Sequence, residues 1–250
     1  MDLNKLLKIS TLAGKIMLES GAETYRVEET ISRICIAYGA HTADSFVIPT
    51  GIIVTITYYD EVATLVNRIT SRGVDLNKID AVNDLSRRIQ TEAIDLSDFN
   101  KDLIKISNDP RYSSLITLLC SSIAAGCFSI MFGGNLKDFF AASLIGAFIK
   151  IISIIFQKLN INEFFVNSFC GGLCAILAII FLKINLCSNL DKTIIGSIML
   201  LVPGLIITNA IRDTIAGDFL SGITKASEAF LIAISIAVGT GAILSIFIYK

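Results

Sequence analysis

Polar residues stand inside long apolar stretches of the C-terminal half, where a charge needs a physical reason. Lys150 lies in a run of aliphatic and aromatic residues between Asp138 and Lys158. In a helix it would stand about 12 Å from Lys158, at about 1.5 Å per residue. A lysine at that depth in an apolar medium is costly unless it is paired or hydrated. Lys150 could therefore bind the carboxylate of a small molecule, or its side chain could simply extend to the polar interface.

A second group of polar residues follows a proline and a glycine in the same half. Pro203 removes a backbone hydrogen bond and Gly204 loosens the turn, so together they break a helix or only kink it. Membrane proteins use such breaks to direct free backbone groups at a ligand. Asn209 and Asp213 come next, four residues apart and so on one helix face, although Asp213 could merely cap a helix end. Glu228 could carry protons or simply lie at an interface.

The N-terminal half carries a further candidate site near one turn of helix. Glu23, Arg26, Glu28 and Glu29 lie near one turn, and Arg26 could pair with Glu23 or with Glu29 at helical spacing. Isolated exposed pairs contribute under about 1 kcal/mol, so a solvated surface is the ordinary alternative. A possible binding loop, which is otherwise a plain turn, has the sequence Pro49, Thr50 and Gly51.

The sequence has no motif for a metal centre, a nucleotide site or a catalytic triad. None of the six cysteines forms a Cys-x-x-Cys pair and there is a single histidine, whereas zinc and iron–sulfur sites need clustered ligands. Gly14-Lys15 lacks the rest of a phosphate-binding loop. His41, Asp44 and Ser45 have the side chains of a hydrolase triad, but their close spacing does not establish its geometry. We predict no metal, no cofactor and no catalytic residue.

Composition divides the chain into two parts that must position these residues. The chain has 250 residues, of which 53% are hydrophobic and 17% charged, and its mean hydropathy is +0.70. A soluble domain is usually about 25% charged. A net charge of −1 without a basic run gives no electrostatic basis for nucleic-acid binding. The density of charged residues and the spacing of apolar residues both change near Asp109-Pro110-Arg111. We therefore predict a polar domain over 1–110 and a membrane domain over 111–250.

The membrane domain is predicted to be an all-α bundle of five transmembrane helices. A spanning helix needs about 20 largely apolar residues, and five such runs occur, at about 113–132, 138–157, 164–183, 193–212 and 227–249. An odd number of spans places the two termini on opposite sides. The basic residues of the loops alone do not support a cytoplasmic N-terminus. The N-terminus lacks the apolar run of a cleavable signal peptide, however, and Lys101, Lys105 and Arg111 precede the first span. We therefore predict a multi-pass protein of the plasma membrane with a cytoplasmic N-terminus.

The N-terminal domain is predicted to be α+β. Apolar residues recur at helical spacing in two segments before Gly39 and in two more after Leu76, with a turn at 19–24 between the first two. Between these pairs, β-branched and aromatic residues indicate a three-stranded meander at 45–48, 52–59 and 62–69.

Two stretches of the sequence carry recognisable motifs. The N-terminal stretch reads Ala13-Gly14, then Ser20-Gly21-Ala22-Glu23-Thr24-Tyr25-Arg26-Val27-Glu28, then Phe46-Val47-Ile48-Pro49-Thr50-Gly51. The C-terminal stretch reads Val202-Pro203-Gly204, then Asn209, Asp213, Gly217 and Gly222. These stretches resemble the threonine/serine exporter family, in its short, split form. In the family, full-length members fuse a cytoplasmic domain and five spans to a second group of spans.

The resemblance implies a function and a partner. A chain that stops after the first group of spans would need a second small multi-span membrane protein, similar to the family's C-terminal half. Split members resemble subunits of dicarboxylate exporters such as those for succinate, and full-length members resemble amino-acid exporters. We therefore expect a gradient-driven, two-component exporter of small carboxylate metabolites rather than an enzyme. Its pathway candidates are Lys150, Pro203, Gly204, Asn209, Asp213 and Glu228.

Two alternatives stay open at this point. The family's soluble domain has been regarded as hydrolase-like, so the chain could be a membrane-anchored hydrolase whose N-terminal domain is catalytic. It could also be a scaffold that only supports a partner channel.

Overall fold

The computed structural model describes residues 2–109, 112–159 and 161–248, without the side chain of residue 248. The predicted domain boundary at residues 110 and 111, and the predicted end of the last span at residue 249, lie outside the described residues. The elements, in chain order, are α1 (Leu3–Glu19), α2 (Thr24–Ala37), β1 (Thr42–Ile48), β2 (Gly51–Tyr58), β3 (Glu61–Arg68), α3 (Leu76–Thr91), α4 (Leu96–Asn108), α5 (Ser114–Met131), α6 (Leu136–Lys158), α7 (Glu163–Lys183), α8 (Leu190–Ile198), α9 (Gly204–Ala216) and α10 (Phe219–Ile248).

The chain divides into two compact units that do not follow the sequence in order. The first unit contains Met1–Arg111 together with Leu205–Ser227, and the second contains Tyr112–Gly204 together with Glu228–Lys250. The prediction of a purely N-terminal polar domain is therefore wrong. The reason is that α9 carries polar side chains which bond to the start of α2, as described below.

The first unit is built around an antiparallel sheet of order β1-β2-β3. Side chains alternate between its two faces, so Ile52, Val54 and Ile56 of β2 are fully buried. Their partners across the pairing with β1 are Val47, Ser45 and Ala43. Buried residues of α1 and α2, among them Leu6, Met17, Val27 and Ile31, complete this core. The sheet and α1 thereby fix the position of α2, whose first turn belongs to the site described below.

Four described helices are long and apolar enough to cross a membrane. They are α5, α6, α7 and the segment Phe219–Phe247 of α10. The prediction of five spans is therefore wrong, and so is the argument from an odd number of spans. The stretch at 193–212 fails because it forms two short helices, α8 and α9, instead of one.

Proline explains why that stretch is broken. Pro203 lacks an N–H and disfavours helical geometry in the residue before it, and neither α8 nor α9 includes Met199–Pro203. Nine residues of α8 and 13 of α9 are about 14 and 20 Å long at about 1.5 Å per residue. A bilayer core is about 30 Å thick, so neither helix spans it.

Within the second unit, the carboxylate of Asp138 bonds the start of α6 to the loop that precedes α8. Asp138 is fully buried and accepts hydrogen bonds from the backbone N–H groups of Asn135 (2.9 Å), Ser188 (2.7 Å) and Asn189 (2.8 Å). The side-chain amide of Asn189 donates a further bond, at 2.8 Å. Asn135 in return caps α6 by accepting from the N–H of Asp138. The loop between α7 and α8 is thus held on the first turn of α6.

Gly239 lies where two helices of the second unit approach each other closely. A Cβ placed on Gly239 of α10 would lie 1.8 Å from the carbonyl oxygen of Ser168 in α7. We expect Gly239→Ala to lower stability by about 1–3 kcal/mol, because α7 and α10 would have to separate. Gly241→Ala is the matched control, since nothing lies within 4 Å of its added Cβ, and it should be neutral or stabilising by up to about 1 kcal/mol. Thermal unfolding of both variants in detergent measures the difference. Equal melting temperatures would contradict a close approach of Gly239 to Ser168.

Candidate functional site

The start of α2 is positioned by a tight turn that requires glycine. Gly21 has a φ of +91°, a conformation that residues with a Cβ rarely adopt. A Cβ there would also lie 2.8 Å from the carbonyl oxygen of Gly73. The same segment donates from the N–H of Gly73 to the carbonyl of Glu19, at 2.8 Å. The turn from α1 into α2 is therefore narrow and fixed.

The N-terminus of α2 is capped by residues from distant parts of the chain. Glu23 stands at the N-cap but makes no side-chain capping bond. Instead, the N–H of Thr24 donates to Oδ1 of Asp213 at 3.1 Å, and the Thr24 hydroxyl donates to Oδ2 of Asp218 at 3.3 Å. Negative charge is stabilised at a helix N-terminus by the partial positive charge of the free N–H groups. Asp213, on α9, therefore has the role of an N-cap from a position 189 residues away.

Asp213 also forms a buried ion pair. Its Oδ2 lies 2.6 Å from Nζ of Lys225, and the two side chains are 0% and 5% exposed. Lys225 reaches the carbonyl oxygen of Ala22 as well, at 3.4 Å. Buried charges are tolerated only when they are paired and hydrogen-bonded. The pair thus joins α9, α10 and the turn before α2.

Glu23 is bound by two arginines. Nη1 of Arg212 on α9 is 2.5 Å from Oε1 of Glu23, and Nε of Arg26 is 3.3 Å from its Oε2. Burial works to raise the pKa of Glu23. The hydrogen bond from its own backbone N–H and the two guanidinium groups outweigh burial, so the pKa lies below its ordinary value.

Asn209 keeps one polar atom without a partner. Its side-chain amide donates to the carbonyl oxygen of Gly21 at 2.8 Å, which fixes which atom is nitrogen. The other atom, Oδ1, is buried and has no hydrogen-bond partner among the residues that the structure describes. Buried acceptors are usually satisfied, so Oδ1 can receive a donor from water or from a ligand.

Glu28 lies one turn after Thr24 on the same face of α2. Its Oε1 accepts from the N–H of Val47 on β1 at 2.8 Å, and the hydroxyl of Ser221 on α10 donates to the carbonyl of Val47 at 3.4 Å. Burial raises the pKa of Glu28 more than the hydrogen bond from Val47 lowers it, and the negative charges of Asp218 and Asp213 raise it further.

The structure joins residues from two separately predicted sites. Glu23 and Arg26, predicted for the N-terminal site, meet Asn209 and Asp213, predicted for the membrane pathway, around the first turn of α2. We call the residues Glu23, Thr24, Glu28, Asn209, Arg212, Asp213, Asp218 and Lys225 the α2 N-terminal cluster. Three members of this cluster, Arg212, Asp218 and Lys225, are not predicted from the sequence. The available signals were the Gly217-Asp218 break between two helical segments and a lysine inside an apolar helix.

The other predicted residues lie elsewhere. Glu29 is exposed and pairs with Arg33 of its own helix. Thr50 lies in the β1–β2 turn, where its carbonyl accepts from the N–H of Ile69 at 3.1 Å; its neighbours there are Pro49, which is buried, and Gly51. The second unit contains Lys150, Pro203, Gly204 and Glu228.

The side chains suggestive of a hydrolase do not form a triad. Asp44 and Ser45 are consecutive in β1, so they point to opposite faces of the sheet. Nδ1 of His41 accepts from the N–H of Tyr59 at 3.3 Å. Within the part of the chain that the structure describes, no three potential ligands lie together as a metal site.

Four described helices that are long and apolar enough to cross a membrane are typical of an integral membrane protein. A family model described as "Putative threonine/serine exporter" matches residues 8–247. The chain therefore belongs to this family, as the resemblance predicted, and it is a membrane exporter rather than an enzyme. It is 22% identical over 227 residues to the "Probable succinate transporter subunit YjjP" of Klebsiella aerogenes, which covers 89% of this chain and 86% of that protein. No solved structure matches the chain. The hydrolase alternative has no support.

Proposed function

We propose that this chain is one subunit of a two-component exporter of small carboxylate metabolites, such as threonine, serine or succinate. The observation that carries the proposal is the family match over residues 8–247. The name of the Klebsiella relative, a succinate transporter subunit, supports both a second subunit and a carboxylate substrate. The partner would be a small multi-span protein similar to the C-terminal half of the family.

Lysines support a cytoplasmic N-terminus. Lys101 and Lys105 of α4 precede α5, the first candidate span. Basic residues near the end of a span favour the cytoplasmic side. In this orientation, the substrate would be taken from the cytoplasm and released outside.

The two units offer different contacts to a substrate. In the first unit, Asn209 would contact the substrate through its buried Oδ1, which has no hydrogen-bond partner among the described residues. In the second unit, Lys150 would bind a substrate carboxylate, and the break at Pro203-Gly204 between α8 and α9 would allow the chain to change conformation. Glu23, Arg26 and Asn209 would recruit or gate the substrate.

Counterflow in proteoliposomes tests the proposal. The chain is reconstituted alone, with its partner, or as the partner alone, and vesicles loaded with unlabelled succinate, threonine or serine are diluted into the labelled compound. We expect labelled substrate to accumulate only when both proteins are present. Transport by the partner alone would favour the scaffold alternative, and no transport of any of the three compounds would contradict the proposal.

Lys150→Leu should lower the counterflow rate about 10- to 100-fold, because a hydrogen bond to a charged group contributes about 1.5–3 kcal/mol. Lys158→Leu is the matched control, since Lys158 is exposed at the end of the same helix, and its rate should stay within about threefold of the unmodified protein. Size-exclusion profiles confirm folding. An unchanged rate for Lys150→Leu would remove Lys150 from the pathway.

A further inference from the structure

Three carboxylates converge on the first two turns of α2. Asp213 and Asp218 both accept hydrogen bonds from Thr24, through its N–H and its hydroxyl. Glu28 lies four residues after Thr24 on the same face, and the charges of both aspartates act on it. The three carboxylates come from three different parts of the chain, namely α2, α9 and the turn between α9 and α10.

The cations near these three carboxylates pair with Asp213 or with Glu23. Lys225 pairs with Asp213, while Arg26 and Arg212 pair with Glu23. Of the residues described, none forms an ion pair with Glu28 or Asp218. Glu28 accepts a hydrogen bond from the peptide N–H of Val47, and Asp218 accepts one from the hydroxyl of Thr24. Half-buried like charges that lack a counter-charge favour protonation of one of them.

The surroundings of Glu28 single it out from the other two carboxylates. Asp213 is stabilised in its charged form by Lys225 and by the N-terminus of α2. Among the described residues, the charged groups that act on Glu28 are Asp213 on α9 and Asp218 on the following turn. Lys225 on α10 pairs with Asp213. From β1, the peptide N–H of Val47 donates a hydrogen bond to Glu28. Burial and the two aspartates raise the pKa of Glu28.

We propose that Glu28 takes up and releases one proton in each transport cycle, and so couples export to a proton gradient. This inference rests on the proposed function, because it assigns the coupling residue of that exporter. Protonation removes the repulsion between Glu28 and the two aspartates. It also weakens the bond from Val47, whose carbonyl is bonded to Ser221 of α10. The charge of Glu28 thereby acts on α2, β1 and α10 together.

The test separates exchange from gradient-driven flux in proteoliposomes that contain both subunits. Counterflow at equal pH measures substrate exchange, and net flux under an imposed pH gradient measures coupling. We expect Glu28→Gln to lower gradient-driven flux by about tenfold or more and to keep counterflow within about threefold of the unmodified protein. Glu29→Gln, the same change at the neighbouring exposed residue, should alter neither.

Folding of the variant is measured separately. Gln keeps a carbonyl oxygen that can accept from Val47 and removes a repelled charge. An acid whose pKa is raised by folding costs stability once pH exceeds its unfolded pKa. Glu28→Gln should therefore unfold at an equal or higher temperature than the unmodified protein at pH 8. Glu28→Asp keeps a titratable group and should retain gradient-driven flux with a shifted pH dependence.

Each outcome is decisive. Normal gradient-driven flux in Glu28→Gln would overturn the assignment, and so would loss of counterflow in a folded Glu28→Gln protein, because the residue would then serve translocation itself. An unmodified exporter that exchanges substrate but ignores the pH gradient would overturn the inference and leave the proposed function intact. An unmodified pair without counterflow would contradict the proposed function instead.

Discussion

Asp213→Ala is expected to lower the stability of the protein by about 3–5 kcal/mol, because it leaves the ammonium of Lys225 buried without a counter-charge. The substitution also removes the acceptor for the N–H of Thr24. Thermal unfolding of the purified protein in detergent measures the loss. Asp98→Ala is the control, since it breaks the exposed pair with Lys101, whose side chains are 62% and 74% exposed, and should cost under about 1 kcal/mol.

A double variant distinguishes the buried charge from a packing defect. Asp213→Ala combined with Lys225→Met removes both charges and keeps an apolar chain in the place of the lysine. We expect the double variant to be more stable than Asp213→Ala alone by about 1–4 kcal/mol, since an apolar replacement of a buried pair is often neutral or favourable. A double variant that shows the plain sum of the two single losses would contradict direct coupling of Asp213 and Lys225.

Asp138→Ala should have an effect of similar size in the second unit. The carboxylate accepts four hydrogen bonds, three of them from backbone N–H groups. The four bonds are partly buried and each goes to a charged group. Because a hydrogen bond to a charged group contributes about 1.5–3 kcal/mol, we expect a loss of about 3 kcal/mol or more in the same unfolding measurement. Asp191→Ala, which removes an exposed acid from the first turn of α8, should cost under about 1 kcal/mol.

An intermediate substitution makes the Asp138 prediction specific. Asp138→Asn keeps one acceptor oxygen, but its amide nitrogen faces donors that it cannot satisfy. Its loss of stability should therefore lie between those of Asp191→Ala and Asp138→Ala. If Asp138→Ala unfolds like the unmodified protein, the four bonds do not hold the α7–α8 loop on α6.

Apolar runs in the sequence were enough to locate four candidate spans, because length and hydropathy are local properties. Hydropathy gives a wrong span at 193–212, because the apolar run is continuous there whereas the helix is interrupted between α8 and α9. Pro203 predicts a break, but hydropathy averages over a proline and does not distinguish a kinked helix from two separate helices. Asn209 and Asp213, further along the chain, bond to the turn before α2 and to its first residue, which hydropathy does not predict.

The candidate site shows more clearly that local sequence patterns do not reveal contacts between distant parts of the chain. Helical spacing correctly placed Asn209 and Asp213 on one face, and Glu23 beside Arg26. Spacing says nothing about which helix a face meets, and Asp213 meets Thr24 from 189 residues away. Lys225 lies 12 residues after Asp213, and the turn at Gly217 between α9 and α10 brings the two together. That turn has a φ of +98° at Gly217, a geometry that helical periodicity does not describe.

Cross-linking tests the central claim, that the start of α2 and α9 form one cluster. Glu23→Cys and Arg212→Cys are combined in a protein whose exposed Cys120 and Cys127 are replaced by serine, and a short bifunctional thiol reagent is added to the membrane-embedded protein. We expect one intramolecular link between the peptides that contain positions 23 and 212. The yield of this link should be far lower when Glu29→Cys replaces Glu23→Cys. Equal linkage from both positions, or linkage only between separate chains, would contradict the central claim.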